Sequence, residues 1–182
     1  MLLNKRCPHG GDIYNNDVIL DFSVNINPFG MPDEVRDALI KAVDGCKNYP
    51  DPYCSVLRKR ISEVENVPED NIICSNGAAE LIYSYAYSLP KDRPALIISP
   101  TFCEYRAALE AAGISAEYYV LSEENGFILT DDFLTEELHG YGAVFLCTPN
   151  NPTGITVSES LLYGIARTGT IQMLCNMHQK IK

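Results

Sequence analysis

The fold is decided by the apolar run Ala143-Val144-Phe145-Leu146 and the turn after it, Cys147-Thr148-Pro149-Asn150-Asn151-Pro152-Thr153-Gly154. The run predicts a buried strand, and the turn lies at its carboxyl end, where ligands bind in open α/β sheets. Asn151 precedes a proline and is therefore held away from the α region. Its amide could donate a hydrogen bond to a ligand oxygen; the alternative is a turn that only closes the strand.

Strand and helix signals alternate on both sides of this stretch. Short apolar runs predict strands, and amphipathic segments between them are typical of helices. The alternation predicts an α/β fold with a largely parallel sheet covered by helices. The predicted strands are 18–24, 71–74, 95–98, 116–121, 143–146 and one beginning at 170; the predicted helices begin near 32 and 56 and span 78–89, 103–112, 131–138 and 161–167.

The first two helices carry apolar residues at helical spacing, so we expect each to bury an apolar face. The stretch Tyr49-Pro50-Asp51-Pro52 separates them. The residues expected in the buried faces are Val35, Leu39, Ile40 and Val43 in the first helix, and Val56, Leu57, Ile61 and Val64 in the second.

Composition restricts the class of partner. The chain has 182 residues, 46% of them hydrophobic, and a formal net charge of −10. No Lys/Arg-rich stripe exists that could neutralise phosphates, which argues against nucleic-acid and acidic-membrane partners and favours a small molecule. No segment has the length of a membrane span or the pattern of a leader, and the seven cysteines are scattered. We expect a cytoplasmic protein with reduced thiols and no metal site.

Two further turns follow or precede predicted elements. Gly77-Ala78-Ala79 lies where a helix begins, and such small residues let a phosphate approach the free N–H groups of the first turn. Phe102 follows the strand at 95–98 and could stack on a flat ring. The alternatives are close packing of helix on sheet for the first and a core position for Phe102. Convergence of both with Asn151 at one sheet edge favours a site for a phosphorylated aromatic cofactor.

The combined motifs resemble the fold-type I aminotransferases that use pyridoxal 5'-phosphate (PLP). The resemblance rests on Asn-Gly-x-x-Glu at 76–80, Ser-Pro-Thr-Phe-x-x-Tyr at 99–105 and Asn-Asn-Pro-Thr-Gly at 150–154. Motifs nearer the amino terminus are similar to the threonine-phosphate decarboxylase branch, which acts in cobalamin biosynthesis and is related to the histidinol-phosphate aminotransferases. These motifs are His9-Gly10-Gly11-Asp12-Ile13, residues 19–32 and Tyr49-Pro50-Asp51-Pro52.

The resemblance implies a three-layer, mostly parallel fold of the aspartate aminotransferase type. Residues 1–45 would form an amino-terminal arm and part of the small domain, and 46–182 the amino-terminal part of the large PLP-binding domain. By the same resemblance, backbone amides around Ala78 hold the PLP phosphate and Phe102 stacks on the ring. Asn151 binds the phenolic oxygen, and the Asn151-Pro152 bond is expected to be cis.

The resemblance also implies a homodimer with shared sites. Tyr49 would reach the cofactor phosphate of a neighbouring subunit, and His9 and Asn25 would lie near the phosphate of an amino-acid substrate. From the residues alone, Tyr49 could equally be a packed aromatic, His9 a terminal residue and Asn25 a turn former.

PLP chemistry also needs a lysine that bonds the cofactor, an acid beside the ring nitrogen and further cations. In the resembling family these groups follow the Asn-Pro-Thr-Gly motif, and here residues 155–182 follow it. Asn176 stands roughly where the acid is expected, and Lys180 and Lys182 lie in a polar tail without the setting of a catalytic lysine. We therefore expect a carboxyl-terminally truncated chain without its Schiff-base lysine.

Three functions stay open at this point. The chain is the amino-terminal part of a PLP-dependent decarboxylase, the corresponding part of a phosphate-recognising aminotransferase, or an inactive remnant. The first two share a cofactor site, and the residues do not determine which substrate bond is broken. The His9-Gly10-Gly11 opening favours the decarboxylase by resemblance only.

Overall fold

The computed structural model describes residues 10–24, 26–134, 136–168 and 171–175, with 136, 137 and 171–175 described by their backbone alone. The chain divides into two compact units, Met1–Cys74 and Ser75–Lys182. The functional division at residues 45 and 46 stays a prediction. Among the residues singled out above, five lie outside the described ranges: His9, Asn25, Asn176, Lys180 and Lys182.

The first unit contains two α-helices, α1 (Asp33–Ala42) and α2 (Ser55–Glu65), with 3-10 segments at Val43–Lys47 and Glu69–Asn71. Pro32 precedes α1 and acids occupy its first turn, as the sequence predicts. The predicted burial is wrong, because no described residue of this unit is buried. Leu39, Ile40 and Val56 are 54%, 64% and 83% exposed. Helical periodicity requires an apolar face, but burial requires a partner for that face, and the described residues of the unit supply none.

The two strands predicted in this unit are also wrong. Residues 18–24 form bends and irregular chain. Residues Ile72–Cys74 are also irregular and follow the 3-10 segment. A strand is stabilised by hydrogen bonds to a neighbour, and no strand partner exists for these segments among the described residues. Alternating apolar residues alone do not supply one.

The second unit is built on a parallel sheet. Its strands are β1 (Ala95–Ser99), β2 (Ala116–Val120), β3 (Ala143–Cys147) and β4 (Ile171–Cys175), in the order β2-β1-β3-β4. All three pairings are parallel, which confirms the predicted sheet. Its helices are α3 (Ala78–Ser88), α4 (Glu104–Ala112) and α5 (Glu159–Arg167). None of the helices in the described ranges is long and apolar enough to cross a membrane.

Helices cover both faces of this sheet. Alternate residues of a strand point to opposite faces, so Ile97 and Phe145 pack on one side while Ile98 and Val144 pack on the other. The first side is filled from α3 and α4, and the second from α5 and the 3-10 segments Asp131–Phe133 and Glu136–Gly140. Burial on both faces explains why β1 and β3 are continuous apolar runs. Each fully buried large side chain stabilises the unit by about 1.5–3 kcal/mol.

The sequence correctly predicts where α4 ends. Gly113 closes α4 in the left-handed conformation, with φ of 74°. The helix predicted at 131–138 is instead the two short 3-10 segments.

The expectation of reduced thiols holds for Cys46, Cys54, Cys74 and Cys147 and is wrong for Cys103, which is disulfide-bonded.

Candidate functional site

The sheet has a topological switch point between β1 and β3. After β1 the chain enters α4 on one face and continues to β2, whereas after β3 it enters α5 on the opposite face and continues to β4. The loops that leave these neighbouring parallel strands therefore diverge, and they open a crevice at the carboxyl edge. The first loop, Pro100–Cys103, carries Phe102; the second, Thr148–Gly154, carries Asn151.

The second loop is closed by its own backbone. The N–H of Gly154 donates to the carbonyl of Asn150 at 2.7 Å, and the N–H of Asn150 donates to the carbonyl of Ile155 at 2.8 Å. Asn151 is exposed at the tip, and the bond to Pro152 is cis, as predicted. The Ser99-Pro100 and Thr148-Pro149 bonds are cis as well, which the sequence reading missed. An exposed amide at this tip can meet a ligand from solvent.

In the first loop, Phe102 is half-buried at the edge of the core. Its ring meets Tyr105 edge-on, with centroids 5.9 Å apart and planes at 90°. Tyr105 in turn lies against Phe145 of β3 at 5.4 Å. The aromatic row supports Phe102 from the core side, as the core alternative from the sequence describes. Its stacking on a ligand ring stays a prediction.

The amino terminus of α3 approaches the same edge. This helix precedes β1 and packs in the α4 layer, so a short connection at 89–94 makes it run antiparallel to the strand. Gly77 adopts φ of 87° and ψ of 166°, a conformation that essentially only glycine tolerates. The N-cap residue of α3 is Gly77, which has no side chain to accept a hydrogen bond from the first turn. Ala78 and Ala79 are exposed, so their N–H groups are accessible to an anion.

Glu80 organises the turn that leads into α3. Its carboxylate accepts the N–H of Asn76 at 2.7 Å, while the hydroxyl of Ser75 donates to the carbonyl of Gly77 at 2.9 Å. The Glu80 carboxylate therefore accepts a hydrogen bond from the backbone before the helix. Its negative charge also interacts favourably with the positive end of the helix dipole. Glu80 therefore has a structural role at the start of α3.

Two tyrosines of α3 have perturbed acidity. Burial, and then a hydrogen bond to the buried carboxylate of Glu104, raise the pKa of Tyr83. Burial raises the pKa of Tyr85 to about 12. The Tyr83–Glu104 bond joins α3 to the first turn of α4, next to the Phe102 loop, and sequence reasoning missed it because the two residues are far apart in the chain.

Tyr49 belongs to the first unit and is 90% exposed. The turn after it is held by Asp51, whose carboxylate accepts the N–H groups of Tyr53 at 2.9 Å and Ser55 at 2.6 Å. These hydrogen bonds, first that from Tyr53, lower the pKa of Asp51. Tyr49 is thus presented on an ordered turn, and its role at a cofactor stays a prediction, as do the roles of His9 and Asn25.

Asn150 is the site residue that sequence reasoning overlooked. Its side chain bonds Thr101 and Pro100 of the other loop, which are 49 and 50 positions away in the chain. The proline after Asn151 distinguishes that residue in the sequence, whereas nothing in the local pattern reveals the distant partners of Asn150. A cavity of about 20 Å³ lies beside Asn150, lined also by Cys147 and Phe127. It has room for about one water molecule and is too small for a larger ligand.

Known proteins resemble this chain in sequence. The sequence model of the family described as aminotransferase class I and II matches residues 17–172. The chain is 40% identical to the threonine-phosphate decarboxylase of Salmonella typhimurium over 166 residues, which cover 87% of this chain and 45% of that enzyme. The chain therefore spans less than half the length of this relative.

Solved structures resemble the fold as well. The histidinol-phosphate aminotransferase of Clostridium acetobutylicum matches with a TM-score of 0.76 and 23% identity, over 86% of this chain and 46% of that chain. Cystalysin of Treponema denticola, whose structure contains a pyridoxal 5'-phosphate cofactor, matches with a TM-score of 0.63 and 22% identity, over 80% and 40%. At these identities the likeness concerns the fold.

Proposed function

Since the chain belongs to the aminotransferase class I and II family and has the fold of the aspartate aminotransferases over less than half of their length, we propose that it is the amino-terminal part of a PLP-dependent enzyme acting on a phosphorylated amino acid. The reaction is decarboxylation of threonine phosphate to aminopropanol phosphate for cobalamin biosynthesis. The observation that carries this choice is the 40% identity to the Salmonella typhimurium decarboxylase across 87% of the chain.

The described residues suit this cofactor. The open first turn of α3 at Gly77, Ala78 and Ala79 would hold its phosphate through N–H groups and the helix dipole. Phe102, supported by Tyr105, would lie against the ring, and the exposed amide of Asn151 would donate to its phenolic oxygen. When bound, PLP supplies an electron sink for the bond broken at the substrate's α-carbon. The protein's part is to orient the ring and to hold the charges of its phosphate and oxygen.

The remaining assignments follow from the same proposal. Tyr49 would bind the cofactor phosphate of the second subunit of a cytoplasmic homodimer, and His9 and Asn25 would bind the substrate phosphate. The exposure of Tyr49, at 90%, leaves its hydroxyl accessible to a second subunit.

The alternative enzyme is an aminotransferase of the histidinol-phosphate type. It is favoured by the sequence match to the histidinol-phosphate aminotransferase of Methanococcus aeolicus, which is 33% identical over 148 residues, 80% of this chain and 40% of that enzyme. An intact version, extended through its cofactor-bonding lysine, separates the two. We expect carbon dioxide release from L-threonine phosphate; 2-oxoglutarate-dependent amino transfer from histidinol phosphate without carbon dioxide would establish the alternative.

For the 182-residue chain by itself, we propose that it is inactive. Lys91 is the single lysine among the described residues of the second unit, and it lies in the connection from α3 to β1, at the opposite edge of the sheet from the crevice. After incubation with PLP and borohydride, peptide mass spectrometry should find no lysine labelled stoichiometrically. A unique lysine labelled to one equivalent would overturn this proposal.

A further inference from the structure

The crevice at the switch point is crossed by one side chain. The amide nitrogen of Asn150 donates to the carbonyl of Pro100 at 2.9 Å, and its amide oxygen accepts the hydroxyl of Thr101 at 2.9 Å. The second N–H of the amide donates to the hydroxyl of Thr153 at 2.9 Å, within its own loop. Both donors and the oxygen of the amide are therefore used.

The orientation of this amide follows from its partners. The Pro100 carbonyl can only accept, so the nitrogen of Asn150 must face it, and the oxygen then faces Thr101. Turning the amide over would place two acceptors against each other. The residue is half-buried, so water competes less for these bonds than at an open surface.

We propose that Asn150 is a positioning residue, which locks the Phe102 loop to the Asn151 loop across the switch point. The two loops begin on neighbouring strands but turn toward opposite faces of the sheet, and the backbone bonds of Asn150 join it to Gly154 and Ile155 on its own side of the crevice. In the opposite loop, Thr101 directly precedes Phe102. Holding Thr101 therefore holds the beginning of the segment that carries the ring.

The positioning role rests on the proposed function, because that function names what the two loops would bind. The hydrogen-bond coupling between the loops does not depend on it. With the loops locked, the ring-stacking and amide contacts to a cofactor would form together, without the cost of ordering each loop separately. Asn150 would touch no cofactor atom itself and would act through Phe102 and Asn151.

Hydrogen exchange of the full chain tests the coupling. Asn150→Ala should speed exchange of the Phe102 amide in the opposite loop, and of the Tyr105 amide in α4 that donates to the Phe102 carbonyl, by about tenfold, the effect of losing one net hydrogen bond or slightly more. Thr101→Val should speed the Asn150 and Gly154 amides by about threefold or more, and Thr101→Ser, which keeps the hydroxyl, should match the wild type. Asn125→Ala, which removes an exposed amide elsewhere in the unit, is the matched control.

The amides of β3 report whether a variant has loosened the unit as a whole. If Asn150→Ala speeds exchange of the β3 amides as much as that of the loop amides, the coupling is tested by comparing Thr101→Val with Thr101→Ser. These two variants differ mainly in the bridging hydroxyl. Equal loop exchange in Thr101→Val, Thr101→Ser and wild type would overturn the coupling.

Equilibrium dialysis with PLP tests the positioning. Asn150→Ala should weaken binding by about tenfold and Thr101→Val by about threefold, whereas Thr101→Ser and Asn125→Ala should leave it unchanged. Wild-type affinity in Asn150→Ala would overturn the positioning role. If the wild-type chain binds no PLP, the cofactor proposal fails for this chain, and the exchange experiment alone decides whether Asn150 couples the loops.

Discussion

Tyr85 of α3 has a buried hydroxyl with no hydrogen-bond partner among the described residues. Burial raises its pKa from 10.0 to about 12 because the charged phenolate loses its hydration. An acid whose pKa is raised by folding stabilises the folded state fully below pH 10, and this contribution is lost as the pH rises through about 12. We expect the wild-type chain to lose more stability across that range than Tyr85→Phe does.

Urea unfolding at pH 8 and pH 11.5 measures this difference, and the ultraviolet absorbance of tyrosinate follows the ionisation itself. Tyr163→Phe, which removes a tyrosine 70% exposed, corrects for the loss of one chromophore. Equal pH dependence in wild type and Tyr85→Phe would show that the Tyr85 hydroxyl reaches water.

At this scale the sequence predicts contacts that depend on nearby residues and misses those that depend on distant ones. The restricted backbone of Asn151 and its cis bond follow from the proline beside it. The glycine at 77 likewise signals its unusual conformation. The bridge from Asn150 to Thr101 and the bond from Tyr83 to Glu104 join segments that meet only after the sheet has formed, so local pattern contains no sign of them.

At the scale of elements, α5 depends on a cap. The hydroxyl of Ser158 accepts the N–H of Leu161 at 3.3 Å, and α5 buries Leu161 and Ile165 against the sheet. Ser158→Ala should lower the free energy of unfolding by about 1 kcal/mol, because one N–H at the helix start loses its acceptor. Urea denaturation should show Ser158→Asp close to wild type.

Ser84→Ala is the control for this prediction, since Ser84 is exposed within α3 and lies away from the start of α5. A loss as large in Ser84→Ala as in Ser158→Ala would mean that the hydroxyl of Ser158 contributes no specific cap.

The sequence predicts helices and strands correctly where the residues of the element itself determine its structure. The runs in β1 and β3 are apolar on both faces and become buried strands, and Gly113 ends α4 as expected. Residues 18–24 carry the alternation of a strand but lack a partner in the described structure. Two-faced burial is a stronger predictor than alternation, because it reflects a sheet already covered by helices.

For the whole molecule, the apolar face of α1 determines the expected behaviour in solution. Leu39 and Ile40 are 54% and 64% exposed, and no described residue of the first unit is buried. Exposed contiguous apolar surface favours association. We therefore expect the chain to associate as its concentration rises, and sedimentation velocity to show less association for Leu39→Lys with Ile40→Lys.

Those two lysines also change the formal net charge from −10 to −8, since each adds one positive charge. Glu34→Gln with Asp37→Asn removes two negative charges on the same helix and gives the same −8, but it leaves Leu39 and Ile40 in place. Association that persists in this charge-matched variant and falls in the lysine variant assigns the effect to the apolar face. Equal loss in both would assign it to net charge, and a wild-type chain that stays monomeric at every concentration would contradict the prediction, because solvent would then tolerate this face without a partner.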